Sequence, residues 1–128
     1  MPIYDTQHDL ASLKARLDGN DDLLVVCYCA AWCDTCTQYR RDFTALAERH
    51  PGHVFVWVDI EEQPELLGDE DVENFPTVLL QTPENTLFFG TQLPYVSHLE
   101  RLLERADELR PLGPGHCPPL LRPLLGSP

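Results

Sequence analysis

The chain has 128 residues, 43% of them hydrophobic, which suits one domain that buries its own core. Nine basic residues against 21 acidic ones give a net charge of −12. This excess disfavours nucleic acids and anionic membrane surfaces, because both recruit clustered cations. No apolar run approaches the roughly 18 residues that a membrane span needs. We therefore expect a globular domain that binds neither nucleic acid nor membrane, and we expect a monomer.

The first five residues contain neither the basic nor the apolar stretch of a secretory signal peptide. We therefore expect a cytoplasmic protein, in a compartment that keeps thiols reduced. The five cysteines agree with this, since an odd count without a secretion signal argues against a framework of structural disulfides. Four of them lie within ten residues, at positions 27, 29, 33 and 36, which indicates a local chemical function.

Hydrophobic periodicity predicts alternating helices and strands along the first 110 residues. In chain order, the patterns first predict a helix capped by Thr6 with Leu10, Leu13 and Leu17 on one face, a strand at 23–29 and a helix from Cys33 to about residue 50. They then predict a strand at 54–58, a short helix within 63–71, a hairpin of strands at 77–80 and 86–89, and a last helix beginning at Pro94. The continuous apolar strands are typical of a sheet with helices on both faces.

The resulting element order is β-α-β-α-β-(short α)-β-β-α, although the pattern assigns no residues to the first strand. Parallel units come first and a hairpin follows, so we predict an α/β fold with a central mixed β-sheet flanked by helices on both faces.

The composition changes after Arg110, because six of the 12 prolines, five leucines and Cys117 fall in the last 18 residues. We therefore divide the chain into a domain at 1–110 and a proline-rich C-terminal tail at 111–128. Two interpretations of the tail stay open. It is either a mobile, polyproline-like appendage or a segment that lies across an apolar patch of the domain.

The strongest functional signal is the pair Cys33 and Cys36, separated by two residues at the start of a predicted helix. The unpaired N–H groups and the positive dipole end of a first helical turn favour a thiolate by about 0.3–1 kcal/mol. Cys33 is therefore the candidate nucleophile. Cys36 is the candidate resolving thiol, because the spacing lets it close a disulfide with Cys33 and release a bound partner.

At these residues the chain resembles the thioredoxin family. The resemblance is carried by the sequence at 31–36 after a hydrophobic strand, by 75–77 before the hairpin, by 58–60 at the end of a strand and by Gly90. It covers about residues 1–109 and implies a thioredoxin fold. It also implies that Pro76 is cis and lies opposite the two cysteines. The family's substrate groove would be lined by Trp32, Phe75, Pro76, Thr77 and Gly90.

The activity that this resemblance implies is thiol–disulfide exchange, most naturally the reduction of protein disulfides through Cys33 and Cys36. The substrates would be disulfide-containing proteins. An upstream thiol reductant, of the thioredoxin reductase or glutathione type, would restore both thiols, and the exchange itself would need no cofactor. One alternative is a thioredoxin-fold adaptor or folding helper that binds extended peptides without redox turnover. Another is a metal or iron–sulfur site built from the four clustered cysteines; a zinc site would need four such ligands.

The chain departs from the family pattern around the cysteine pair. Asp34 and Thr35 stand where the family usually has Gly-Pro, so we expect a redox potential unlike that of a typical thioredoxin. The family's buried acid corresponds to Cys27 and its lysine partner to Trp57. Without that acid, we expect deprotonation of Cys36 to be slower or to depend on water.

A further cysteine, Cys29, takes the place of a tryptophan that the family has near the site. A third thiol there could form another disulfide or pack as a small hydrophobic residue. We expect packing for both Cys27 and Cys29.

Overall fold

The computed structural model describes residues 3–18, 21–30, 33–68, 75–112 and 118–125. Within these ranges the elements are β1 (Ile3–Asp5), α1 (Leu10–Leu17), β2 (Leu24–Cys29), α2 (Asp34–Arg49), β3 (Val54–Asp59), β4 (Thr77–Gln81), β5 (Thr86–Thr91), α3 (Val96–Glu104) and α4 (Leu121–Leu124). Two short 3-10 turns lie at Pro64–Leu66 and Ala106–Glu108.

The five strands form one mixed sheet in the order β1-β3-β2-β4-β5. β1 and β2 run parallel to β3, and α1 and α2 provide the crossover connections that parallel pairing requires. β4 is antiparallel to both β2 and β5, so the predicted hairpin and the predicted mixed sheet are confirmed. β2 is buried along its whole length, as its continuous apolar sequence predicts.

Each face of the sheet is covered by its own hydrophobic cluster. The first cluster joins α2 and α3 to alternate residues of β2 and β3, and the second joins α1 and α4 to the other alternate residues. The predicted inner face of α2 is confirmed, since the helix buries Cys36, Tyr39, Phe43, Leu46 and Ala47. Over the described ranges, no helix combines the length and the apolar character that crossing a bilayer would require.

The N-terminal region and the last predicted helix differ in detail from the expectations. Thr6 does not cap α1: it is buried, its hydroxyl contacts the side chain of Gln63, and the helix begins only at Leu10. The unassigned first strand is Ile3–Asp5, which at three residues is too short to reveal a period of two. The last helix begins two residues after Pro94, and its final turn is a separate 3-10 turn.

The described part of the C-terminal tail packs against the domain. Leu121 and Leu125 are buried in the cluster that contains α1. The Gln81 side chain donates to the Pro119 carbonyl oxygen and accepts from the Leu121 N–H, both at 2.9 Å. Residues 118–125 therefore lie across an apolar patch, which is the second of the two interpretations. The tail cysteine, Cys117, lies outside the described residues, and the boundary at residue 110 stays a prediction.

Candidate active site

Cys33 lies at the N-terminus of the 16-residue helix α2, where the sequence predicts it. Its backbone is extended, with φ −91° and ψ 115°, and its N–H donates to the Ala30 carbonyl oxygen at 3.1 Å. Its own carbonyl oxygen accepts from the Thr37 N–H at 3.2 Å, which closes the first turn of the helix. The thiol is half-buried and forms no disulfide. A sulfur is therefore held at the positive end of a long helix.

Cys36 lies in the first turn of α2, and its sulfur is bonded to Cys29 rather than to Cys33. Cys29 is the last residue of β2, and its Cα lies 5.8 Å from that of Cys36, inside the usual disulfide range of about 4.4–6.8 Å. The two residues are 1% and 2% exposed. The expectation that Cys29 only packs as a small hydrophobic residue is therefore wrong. Strand alternation turns Cys29 towards the face that α2 covers, and its position at the end of β2 places it next to Cys36 in the first turn of that helix.

Cys27 lies two residues before Cys29 on the same face of β2, with 3.8 Å between the two sulfur atoms. It is completely buried and unpaired, so it packs as expected. Burial raises the pKa of the Cys27 thiol well above its usual range, and the thiol stays protonated at neutral pH. Cys27 is in register with Trp57 on β3, so neither residue brings a charge beneath α2.

A pocket of about 280 Å³ opens beside Cys36. Its lining consists of Asp5, Gln7, His8, Ala30, Cys36, Thr37, Arg40, Trp57 and Asp59. Arg40 donates to the Asp5 carboxylate at 3.0 Å, and its guanidinium lies 5.3 Å from the centre of the Trp57 ring. An acidic and a basic side chain thus meet beside Cys36, at positions that no sequence motif marks. The only sequence signal for Arg40 is its spacing of four residues from Cys36 on the helix.

The segment from Phe75 to Thr77 lies next to the same end of β2. Thr77 pairs with Tyr28 near the end of that strand, and the preceding Phe75–Pro76 peptide bond is cis. The Pro76 carbonyl oxygen accepts from the Gln92 N–H at 2.9 Å, which joins this segment to the end of β5.

The other predicted groove residues fall in three different positions. Phe75 is half-buried and packs against the cluster that contains Cys36. Gly90 pairs with Val78, one position further along the sheet from Thr77. Trp32 lies outside the described residues. The fold therefore brings Phe75, Pro76 and Thr77 beside the end of β2, where α2 begins.

For the alternative of a metal site, the arrangement of the cysteines is informative. Two of the four sulfurs that such a site would use, those of Cys29 and Cys36, are bonded to each other. Across the part of the chain that the structure describes, no three His, Cys, Asp or Glu side chains are grouped so as to hold a metal ion.

Comparison with known sequences identifies one family. The family model for thioredoxin matches residues 6–91. A putative thioredoxin H10 of Arabidopsis thaliana is 42% identical over 62 residues, which are 48% of this chain and 40% of that protein. Thioredoxin of Ophiophagus hannah is 30% identical over 70 residues, 54% of this chain and 67% of that protein. The matched region spans about 40 to 67% of the length of such curated relatives.

Solved structures agree on the fold over most of the chain. Fasciola hepatica thioredoxin superposes with a TM-score of 0.66 at 22% identity, covering 81% of this chain and 99% of that one. The Deadhead thioredoxin of Drosophila melanogaster gives 0.66 at 21% identity, with 82% and 98% covered. A thioredoxin f2 solved with ferredoxin:thioredoxin reductase gives 0.61 at 17% identity, with 82% and 94% covered. The mixed five-stranded sheet with its helices is therefore a thioredoxin fold.

Proposed function

Because the chain belongs to the thioredoxin family, we propose that it is a thiol–disulfide oxidoreductase that reduces protein disulfides. Cys33 attacks one sulfur of a substrate disulfide and forms a mixed disulfide, while the other substrate sulfur leaves as a thiolate. Cys36 then attacks the Cys33 sulfur, which releases the second substrate thiolate and leaves a Cys33–Cys36 disulfide. The observation that carries this proposal is the unpaired, half-buried Cys33 thiol at the N-terminus of α2.

The substrate groove that we propose is lined by Trp32, Phe75, Pro76, Thr77 and Gly90. Support comes from the pairing of Thr77 with Tyr28, since this register brings the start of β4 beside the strand that leads to Cys33. An extended substrate segment could add to such a strand end through its main chain. The net charge of −12 favours substrates whose surfaces are basic or neutral.

The partners in this proposal are disulfide-containing proteins and an upstream thiol reductant, and the setting is the cytoplasm. One structural relative, a thioredoxin f2, was solved in complex with ferredoxin:thioredoxin reductase. That complex supports the proposal that the upstream thiol reductant is a reductase protein. A second relative comes from a study of thiol resolution in a yeast mitochondrial 1-Cys peroxiredoxin via glutathione/thioredoxin systems, which supports proteins with reactive cysteines as substrates. We propose that the chain acts as a monomer and that the exchange step uses no cofactor.

Insulin reduction in the presence of dithiothreitol tests the activity. We expect the wild-type protein to accelerate precipitation of the reduced insulin B chain and Cys33→Ser to give only the uncatalysed rate. Cys27→Ala is the matched control, because it also removes a thiol that forms no disulfide but one that is buried in the core. We expect that control to keep its activity. Equal rates for wild type and Cys33→Ser would contradict an enzyme and favour the peptide-binding adaptor.

A further inference from the structure

Cys36 is disulfide-bonded to Cys29. The proposed reduction mechanism pairs Cys36 with Cys33 instead. We propose that Cys29 is a third exchanging thiol and that Cys36 moves between two disulfides, an outer one with Cys33 and an inner one with Cys29. The inference depends on the proposed function in one respect, because substrate reduction produces the outer disulfide. The inner disulfide is the one that the structure contains.

The positions of the three cysteines allow both pairings. Cys33 is the N-cap residue of α2, and Cys36 lies three positions later in the first turn of the helix. Cys29 approaches Cys36 from the sheet, with 5.8 Å between the Cα atoms. Cys33 also packs against the hydrophobic cluster that contains Cys29 and Cys36. Cys36 thus lies between two sulfurs, and a change of its side-chain rotamer selects one of them.

The exchange involves only the three cysteine sulfurs, and its bonds and protons balance. The Cys29 thiolate attacks the Cys36 sulfur, so the bond between Cys29 and Cys36 forms as the bond between Cys36 and Cys33 breaks. Cys33 leaves as a thiolate, and the proton lost by Cys29 passes to solvent and finally to Cys33. No external oxidant or reductant is consumed. The position of Cys33 at the positive end of α2 favours this step, because a stabilised thiolate leaves faster.

The inner disulfide changes what the chain can do. Cys33 becomes a thiol again, while Cys36, which should resolve its mixed disulfides, is occupied in the core. A partner captured by Cys33 in this form stays covalently attached until a thiol from solution or the partner's own second thiol releases it. Since Cys29 and Cys36 are 1% and 2% exposed, a protein reductant cannot reach their sulfurs directly. The inner disulfide is therefore reopened from Cys33, by the reverse of the exchange.

Peptide mapping of the wild-type protein tests the pairing without any variant. The reduced protein is oxidised with one equivalent of an aromatic disulfide and is then unfolded at mildly acidic pH with N-ethylmaleimide present, so that every remaining thiol is blocked. The blocked chain is digested with chymotrypsin. Cleavage after the aromatic residues 28, 32 and 39 puts Cys29 on peptide 29–32, and Cys33 with Cys36 on peptide 33–39. Mass spectrometry then distinguishes the two disulfides.

We expect the two peptides to be crosslinked, with one blocking group on Cys33. Early samples should hold more of the outer disulfide, which appears as an internal bond in 33–39 with the blocking group on 29–32. An internal bond in 33–39 at every time point would overturn the inference. Cys29→Ala should retain only that internal bond, whereas Cys27→Ala, which alters the same face of the same strand, should keep the crosslink. Blocking of Cys33 in oxidised Cys29→Ala to the wild-type extent would also overturn it.

The wild-type measurements separate this inference from the proposed function. Insulin reduction without the crosslink would refute the role of Cys29 and leave the reductase intact. A crosslink without insulin reduction would refute the reductase and leave the exchange between Cys29, Cys33 and Cys36 intact.

Discussion

Two tyrosines, Tyr28 and Tyr39, are fully buried on opposite faces of the sheet and differ in the environment of their hydroxyl groups. The Tyr28 hydroxyl donates to the Leu66 carbonyl oxygen at 2.8 Å. Among the described residues, none provides a hydrogen-bond partner for the Tyr39 hydroxyl. Burial raises the pKa of both phenols, so both remain protonated. We predict that replacing each tyrosine by phenylalanine changes the free energy of unfolding with opposite signs.

The magnitudes follow from the fate of each hydroxyl. A buried polar group without a partner costs about 1–3 kcal/mol. Tyr39→Phe removes that penalty and leaves the ring stacked on Phe43, whose centre lies 6.2 Å away, so we expect stabilisation. A gain of about 1 kcal/mol corresponds to a rise in Tm of roughly 4 °C in a domain of this size. Tyr28→Phe removes a hydrogen bond with a net value of about 0.5–1.5 kcal/mol and deprives the Leu66 carbonyl of its donor, so we expect destabilisation.

Urea unfolding with excess dithiothreitol measures both changes, because the reductant keeps the cysteines in one state. The midpoint should rise for Tyr39→Phe and fall for Tyr28→Phe, with the denaturant slope unchanged in both. The double variant should give the sum to within about 0.5 kcal/mol, since the two sites lie on opposite sides of the sheet. A Tyr39→Phe protein that is destabilised as much as Tyr28→Phe would refute the reasoning, because its hydroxyl would then have a partner in the folded state.

Three further predictions concern the tail, a turn and the response to pH. Leu121→Ala should lower the free energy of unfolding by about 2–5 kcal/mol in urea, because the side chain is 0% exposed. Gly68→Ala should lower Tm, since φ is +72° and the new Cβ would lie 2.9 Å from Pro119; Gly52→Ala, with open space around it, should lower Tm much less. Burial lowers the pKa of His53 below 6.5, so the unfolded chain takes up its proton first as pH falls. Stability should therefore decline below about pH 7, and His53→Gln should reduce that decline in urea midpoints measured across pH.

Local patterns were sufficient to predict the elements that carry the site. The apolar run of β2 and the inner face of α2 appear in the structure as expected, because burial on a helix or strand follows a fixed period. The position of Cys33 at the start of α2 followed from the same local patterns. The expectation that the segment from Phe75 to Thr77 lies near the cysteines came from the family resemblance, which encodes long-range pairing that periodicity alone does not contain.

The features that could not be predicted depend on contacts between distant segments. Gln81 holds the tail through Pro119 and Leu121, some 40 positions later in the chain, and nothing in its local sequence indicates that partner. A disulfide of Cys29 was one of two alternatives, and the expectation of packing was wrong for a different reason. Its alternation with Cys27 was visible, but the choice of sulfur depends on how the first turn of α2 lies over the end of β2.

The charges around Cys36 show why the pocket matters for the proposed reaction. Positions 27 and 57 are both uncharged, and a lone ion beneath α2 would be strongly unfavourable without a partner. The charged pair near Cys36 is instead Asp5 with Arg40, at the lining of the pocket, where the Arg40 side chain remains 42% exposed. In the proposed reaction we therefore expect the proton of Cys36 to leave towards the pocket rather than into the core. The fully buried thiol of Cys27 cannot serve as its acceptor, because burial keeps that thiol protonated.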